Sequence, residues 1–322
     1  MKAIRVHEPG GPEVMRYEEI PDPIPGTGEA LVKIEATGVN YIDIYRRSGL
    51  IGDSLPMTCG QEAAGVVESI GADVSTARPG DRVAYEGTVG SYAELAIVPS
   101  EKLVPLPSNV DSKTAASVLL QGMTAQYLSH TTYPLGKNHT VLVHAAAGGV
   151  GLLLVQMAKR LGTHVIGTVS SEAKAEQASG AGADEVIIYT EVDFLSEVMR
   201  LTNGAGLQVV YDSVGLETFD KSLKCLAPRG HLVLYGHSSG LVPDLELQRL
   251  QAGGSLFVTR PSLVHYTLTR DELLNRASDV LDRVGTGELD VRIDSVRPVA
   301  DAGEAHRRLE SRASIGKLIL VP

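Results

Sequence analysis

The amino-acid sequence predicts an α/β protein in which a β-rich domain is joined to a doubly wound parallel sheet. Over residues 1–120, short β-like runs are separated by stretches rich in Gly, Pro and Asp, which is typical of antiparallel strands linked by turns. After residue 120, nearly continuous apolar runs alternate with helical segments, as buried parallel strands and their crossover helices do. We expect the parallel sheet over residues 123–262 and the β-rich domain over residues 1–122 and 263–322.

Each element of the β-rich domain is expected from a short apolar or alternating run. The strands are expected at KAIRV, ALVKIEAT, AAGVVESI, DRVAY and YAELAIV, with one helical stretch at residues 40–47. After residue 262, a helix, the strand VRIDSV, a second helix and the strand GKLILV follow in order. We expect these last elements to return to the β-rich domain, because another strand–helix pair would overfill the parallel sheet.

The parallel strands are expected at residues 140–145, 164–169, 185–189, 207–212, 231–236 and 255–259. Between the first two, helical spacing predicts one apolar face that contains Val150, Leu153, Leu154, Met157, Ala158 and Leu161. The first strand ends in AAAGGVG, where Ala146, Gly148 and Gly151 occupy the three glycine positions of the dinucleotide-binding fingerprint. Such a turn presents backbone N–H groups and a positive helix end to a pyrophosphate, so a nucleotide site is predicted.

The turn after the second parallel strand favours NADPH over NADH. An NAD site places a carboxylate there, where it accepts a hydrogen bond from the ribose 2′-OH. This chain has Ser170 and Ser171 at the turn and Lys174 one helical turn later. Hydroxyl groups and a cation suit a 2′-phosphate, which a carboxylate would repel. Glu172 is the one residue of this stretch that opposes NADPH.

Composition argues against several functional classes. The chain has 322 residues, of which 43% are hydrophobic, with a net charge of −10 and a pI of about 5.4. This balance argues against a general binder of nucleic acid or of membrane surfaces, both of which need a basic face. Cys59 and Cys225 are too few for a disulfide framework or a four-cysteine zinc site. Since no apolar run approaches the ~18 residues of a membrane helix, a cytoplasmic protein is expected.

Several motifs, taken together and in order, make the whole chain similar to a known family. The motifs are GQEAAGVVESIG, PGDRVAY, AAAGGVG, YDSVG and VTRPSL. They resemble the quinone oxidoreductases, the zeta-crystallin-like, zinc-free branch of the medium-chain dehydrogenase/reductase superfamily. The resemblance implies a GroES-like catalytic domain, a Rossmann domain that binds NADPH, a small-molecule quinone substrate and a homodimer.

The resemblance also implies that the chain works without a metal. Zinc-dependent relatives have a catalytic cysteine and a histidine at the positions that correspond to Asn40 and Gln61, together with a four-cysteine lobe that this chain lacks. Amide side chains are poor substitutes for the roughly three His, Cys or carboxylate ligands of catalytic zinc. Glu62 is expected to persist as a hydrogen-bonded carboxylate, and the substrate is expected in the space left by zinc.

The resemblance further implies cofactor contacts, residue by residue. Nicotinamide or ribose contacts are expected from Asn40, Tyr45 and Thr124, pyrophosphate contacts from Gly148, Gly149 and Val150, contacts to the adenosine 2′-phosphate from Ser170, Lys174, Tyr189 and Arg312, and contacts at the later strand ends from Ser213, Tyr235, Gly236 and Ser238. Asn40 and Tyr45 are also the expected catalytic residues, as donors that orient the substrate oxygen.

The function predicted from the sequence is NADPH-dependent reduction of a quinone by electron or hydride transfer. Two alternatives stay open: reduction of an alkenal or enone on the same scaffold, and a cofactor-stabilised protein of the crystallin or RNA-binding type with little catalysis. The acidic pI counts against RNA. After RSGL, Ile51 stands where some relatives have tyrosine, which makes the expected mouth of the site more apolar. The run SLFVTRPSLVHY is a candidate sheet edge for dimer pairing.

Overall fold

The computed structural model describes residues 1–322, which divide into two units. The first unit consists of Met1–Met123 and Thr267–Pro322, and the second unit consists of Thr124–Tyr266. The first is rich in β-strands, whereas the second is a parallel sheet with helices between its strands. The predicted α/β fold class is therefore confirmed.

The first unit begins with short strands and one short helix. In chain order its N-terminal elements are β1 (Lys2–Val6), β2 (Met15–Glu19), β3 (Glu29–Val39), α1 (Tyr41–Arg47), β4 (Met57–Thr58), β5 (Glu62–Ile70), β6 (Arg82–Glu86), β7 (Leu95–Pro99), β8 (Val104–Pro105) and α2 (Ser112–Tyr127), of which α2 ends in the second unit. One small sheet has the order β2-β1-β4. The long strand β3 pairs with both β5 and β7 in antiparallel register.

The second unit alternates strands and helices. Its elements are β9 (Thr140–Val143), α3 (Gly149–Arg160), β10 (His164–Val169), α4 (Glu172–Gly180), β11 (Glu185–Ile188), α5 (Phe194–Leu201), β12 (Leu207–Asp212), α6 (Phe219–Lys224), β13 (Leu226–Leu234), α7 (Gln248–Ala252) and β14 (Phe257–Thr259). The strand order is β11-β10-β9-β12-β13-β14, and every pair is parallel. Successive strands are added on one side of β9 up to β11 and on its other side from β12 onward. Ligands bind at this switch point, between β9 and β12, in folds of this type.

The last segment adds two strands to the large sheet of the first unit. Its elements are α8 (Arg270–Gly285), β15 (Ile293–Pro298), α9 (Ala302–Glu310) and β16 (Lys317–Val321). Strand β16 pairs antiparallel with β3, with Leu318 opposite Val39, and the order of this sheet is β15-β16-β3-β5-β6-β8. Because β16 begins at Lys317, this pairing brings a lysine to the end of β3 that leads into α1.

Several elements differ from the prediction, and two of these differences have a clear physical reason. Strand β2 was not predicted, because MRYEE is an edge strand that pairs only with β1 and carries polar and exposed side chains such as Tyr17. Strands β15 and β16 are parallel, although an antiparallel domain was expected. The helix α9 lies between them in the chain and supplies the crossover that parallel pairing requires. No helix of this chain has both the length and the apolar character needed to cross a bilayer.

Candidate active site

The small-residue turn after β9 leaves little space for side chains. Gly148 precedes α3 with an extended backbone (φ −77°, ψ 172°), and α3 begins at Gly149. A Cβ atom on Gly151 would lie 2.2 Å from the carbonyl oxygen of Ala145, so this position requires glycine. The first N–H groups of a helix, here those of Gly149 and Val150, have no acceptor within it and bind anions well. The turn therefore fits the pyrophosphate of a dinucleotide.

A cation and a hydroxyl group meet at the end of β10. Lys174, in the first turn of α4, donates from Nζ to the Ser170 hydroxyl at 3.3 Å. Thr190, after β11, donates to the Ser170 carbonyl at 3.2 Å and ties the two strand ends together. Tyr189 is 39% exposed beside them, and Glu172 is an exposed first residue of α4. This arrangement fits a 2′-phosphate, because a cation and a hydroxyl group lie together at the strand end and no carboxylate takes their place.

The strand ends of β12 and β13 bring four further predicted residues together. Ser238 donates its N–H to the Ser213 carbonyl at 3.1 Å. A Cβ atom on Gly236 would lie 2.7 Å from the same oxygen, so glycine permits the close approach. Burial raises the pKa of Tyr235 to about 12, and a hydrogen bond with the Ser213 side chain acts in the opposite direction. Thr124, a predicted nicotinamide or ribose contact, is on α2 rather than at these strand ends and is 8% exposed.

A buried ionic cluster occupies the start of α1 in the first unit. Lys317 donates from Nζ to Asn40 Oδ1 at 2.7 Å and to Glu62 Oε2 at 2.6 Å. Asn40 donates from Nδ2 to Glu62 Oε2 at 2.8 Å and to the Gly38 carbonyl at 3.2 Å. The Leu120 N–H donates to Glu62 Oε1 at 2.7 Å. The prediction that Glu62 is a hydrogen-bonded carboxylate is confirmed.

The cluster corrects the role predicted for the Asn40 side chain. An ammonium group can only donate, so the atom of Asn40 that faces Lys317 is its oxygen. The Nδ2 group then points at Glu62 and at a backbone carbonyl, and both of its hydrogens are engaged. In this arrangement Asn40 has no N–H left for a substrate oxygen. Lys317 was not among the predicted site residues, although it determines how Asn40 is oriented.

A second buried network fixes α1 behind this cluster. Asp43 Oδ2 accepts from the Asn40 N–H at 2.8 Å and from the Tyr92 hydroxyl at 2.9 Å. Tyr92 also contacts His306 Nε2 at 3.2 Å. Burial raises the pKa of Asp43 to about 7. Burial, together with the nearby Arg47, lowers the pKa of His306 to about 3. Neutral His306 therefore packs here without adding a second charge to that of Arg47.

Two predicted residues lie on the outer parts of the first unit. Tyr45 is half-buried on α1, with its ring centroid 5.8 Å from that of Tyr41. Burial raises the pKa of Tyr41, and the charge of Arg312 opposes this shift, which places Arg312 near α1. Arg312 belongs to the first unit, whereas Ser170 and Lys174 belong to the second. Its contact with the 2′-phosphate stays a prediction.

Asn40 and Gln61, which correspond to zinc ligands of zinc-dependent relatives, do not fit a zinc ion in this chain. No group of three or more His, Cys, Asp or Glu side chains is arranged to hold a metal. The Lys317 ammonium sits between Asn40 and Glu62, where its charge would repel a divalent cation. Cys59 is 2% exposed, and burial raises its pKa to about 12, which keeps the thiol protonated.

Comparisons with known proteins cover both units. Residues 26–108 match the model of the alcohol dehydrogenase GroES-like domain, and residues 149–284 match the model of the zinc-binding dehydrogenase family. A quinone oxidoreductase of Pseudomonas aeruginosa is 44% identical, with 100% of this chain and 99% of the relative covered. A 2-haloacrylate reductase of a Burkholderia species is 40% identical, with 98% of each chain covered. The crystal structure of Escherichia coli quinone oxidoreductase complexed with NADPH superimposes with a TM-score of 0.98, at 41% identity and full coverage of both chains.

Proposed function

Because the chain belongs to the quinone oxidoreductase family of the medium-chain dehydrogenase/reductase superfamily, we propose that it is an NADPH-dependent quinone oxidoreductase that works without metal. The observation that carries the cofactor assignment is the Lys174–Ser170 pair at the end of β10. It supplies a cation and a hydroxyl group where an NAD site would have a carboxylate. The E. coli relative was crystallised with NADPH, which supports the same assignment.

In this function the two parts of the chain have different roles. NADPH binding belongs to the Rossmann domain at residues 123–262, through the Gly148–Val150 turn, the Ser170 and Lys174 pair, and the groups after β12 and β13. Catalysis belongs to the GroES-like domain at residues 1–122 and 263–322, where Asn40 and Tyr45 border the reacting groups. A homodimer and a cytoplasmic location stay predictions from the sequence.

The reaction requires little of the protein beyond binding and orienting NADPH and the acceptor. When bound, NADPH supplies a hydride, which carries two electrons and one hydrogen. A quinone that accepts a hydride becomes a hydroquinone anion, and one proton from solvent completes the hydroquinone. The residues of this chain therefore need to hold the acceptor, exclude competing water and stabilise the developing anion.

Reduction of an activated alkene is the second candidate function. A relative with 40% identity over nearly its whole length is named 2-haloacrylate reductase, so the scaffold carries such chemistry elsewhere. With an enal or enone, the hydride would add to the β carbon and negative charge would develop on the carbonyl oxygen. The same site would then need a donor at that oxygen.

Steady-state NADPH oxidation separates these functions. We expect turnover with 9,10-phenanthrenequinone and 1,4-benzoquinone, and a much lower kcat/KM with a 2-alkenal. Turnover with the alkenal alone would replace the quinone assignment by the alkene assignment. Tight NADPH binding without turnover of any acceptor would favour a binding protein, the third class that the sequence leaves open.

A further inference from the structure

Gln61 carries a side-chain donor that no group of the protein uses. The residue is 5% exposed, and its Oε1 accepts from Arg46 Nε at 3.1 Å. Its Nε2 makes no hydrogen bond within the protein. Nε2 is also not fully enclosed, in contrast to the buried polar atoms of this chain that have no partner. Nε2 therefore keeps some solvent-accessible surface, although the residue as a whole is buried.

The orientation of this amide is fixed by Arg46. A guanidinium group has donors only, so the atom of Gln61 that it contacts must be the oxygen, and Nε2 must point away. Arg46 is itself held by an ion pair with Asp53, in which both side chains are 20% exposed. If the Gln61 amide were rotated by 180°, its NH₂ group would face the guanidinium, and the hydrogen bond from Arg46 would be lost.

Gln61 lies beside the residues that border the proposed reaction. It precedes Glu62, which is hydrogen-bonded to Asn40, and Arg46 follows Tyr45 on α1. Asn40 has its amide hydrogens engaged with Glu62 and a carbonyl, so it cannot serve a substrate oxygen. The Gln61 Nε2 group, in contrast, is a donor in this part of the first unit that no protein acceptor occupies.

We propose that Gln61 is the donor that binds the reducible oxygen of the acceptor, and that Arg46 is a positioning residue that acts through it. This inference rests on the proposed quinone reduction. The hydride adds two electrons to the quinone, and the negative charge that develops on its oxygen strengthens the hydrogen bond from Nε2. A solvent proton then converts the anion into the hydroquinone, so the amide neither gains nor loses a proton.

Gln61→Met removes the donor while it keeps the length of the side chain. A hydrogen bond to a charged group is worth roughly 1.5–3 kcal/mol, so kcat/KM for 9,10-phenanthrenequinone is expected to fall about tenfold to a hundredfold. The NADPH dissociation constant, measured by fluorescence titration, is expected to stay unchanged, whereas the urea midpoint of unfolding should fall slightly because the hydrogen bond from Arg46 is lost. Gln251→Met, at an exposed position of α7, is the matched control and should change none of the three quantities.

The positioning role of Arg46 is tested by a double-mutant cycle. Arg46→Met is expected to lower kcat/KM about as much as Gln61→Met, Arg46→Lys to restore part of the loss, and the double variant to be no slower than either single variant. Independent sites would instead give additive losses. Additive losses would overturn the role of Arg46.

The failure of this inference can be told apart from failure of the proposed function. If wild-type protein reduces the quinone but Gln61→Met retains its kcat/KM, the donor role of Gln61 is wrong and the quinone reductase assignment stands. If wild-type protein binds NADPH and reduces no quinone, the assignment itself is wrong. A Gln61→Met loss accompanied by an equally weakened NADPH complex would also overturn the donor role, because the effect would then lie at the cofactor.

Discussion

Lys317→Met is expected to lower the free energy of unfolding by about 3–5 kcal/mol, because removal of one partner of a buried ion pair leaves the other charge uncompensated. Lys317 and Glu62 have side chains that are 1% and 0% exposed, so solvent cannot replace the missing ammonium. Urea denaturation, followed by circular dichroism, measures the change. Lys113→Met, on the exposed face of α2, is the control and should leave the midpoint unchanged.

A double variant shows whether the pair itself is responsible. Glu62→Gln alone should also destabilise the protein, because it leaves the Lys317 ammonium buried without a carboxylate. In the variant that combines both changes neither charge of this pair remains, so its loss of stability should be much smaller than the sum of the single losses. Strictly additive losses would mean that the two side chains do not stabilise one another.

Lys174→Ala is expected to weaken NADPH binding about tenfold to a hundredfold and to leave NADH binding almost unchanged. The expected size corresponds to loss of one charge-assisted hydrogen bond, roughly 1.5–3 kcal/mol. Fluorescence titration with each nucleotide at constant ionic strength measures both dissociation constants. Lys224→Ala removes an exposed lysine at the end of α6 and serves as the control for a general loss of positive charge.

The opposite change at the same strand end provides a second test of cofactor choice. Ser170→Asp introduces the carboxylate that an NAD site has after this strand. It should weaken NADPH and strengthen NADH, because it repels a 2′-phosphate and accepts from a 2′-hydroxyl. Equal effects of Lys174→Ala on the two nucleotides would show that Lys174 does not contact the 2′-phosphate.

The nucleotide side of the site could be predicted from the sequence because its signals are local. A strand, a small-residue turn and a helix follow one another within residues 140–160, and Gly151 lies where a Cβ atom would meet the Ala145 carbonyl. Ser170 and Lys174 are four residues apart on the next strand–helix connection, so their contact also follows from chain geometry. Such short-range arrangements are visible in periodicity and spacing.

The catalytic side could be predicted only in part, because its decisive contacts are long-range. Asn40 and Lys317 are 277 residues apart, and GKLILV predicts a final strand without indicating that its lysine is buried. The bond from Arg46 to Gln61 depends on how α1 packs against the start of β5, which no local pattern specifies. The sequence therefore indicates Asn40 as a donor, whereas in the structure the Asn40 amide is engaged and the Gln61 Nε2 group has no protein partner.

We propose that this chain reduces a quinone with NADPH and needs no metal. The most direct measurement is the rate of NADPH oxidation with 9,10-phenanthrenequinone before and after exhaustive dialysis against a chelator, with metal content determined on the same samples. We predict the same kcat for the metal-depleted and untreated protein, and no stimulation by added Zn²⁺. Loss of quinone reduction on depletion, with recovery on addition of Zn²⁺, would contradict the account.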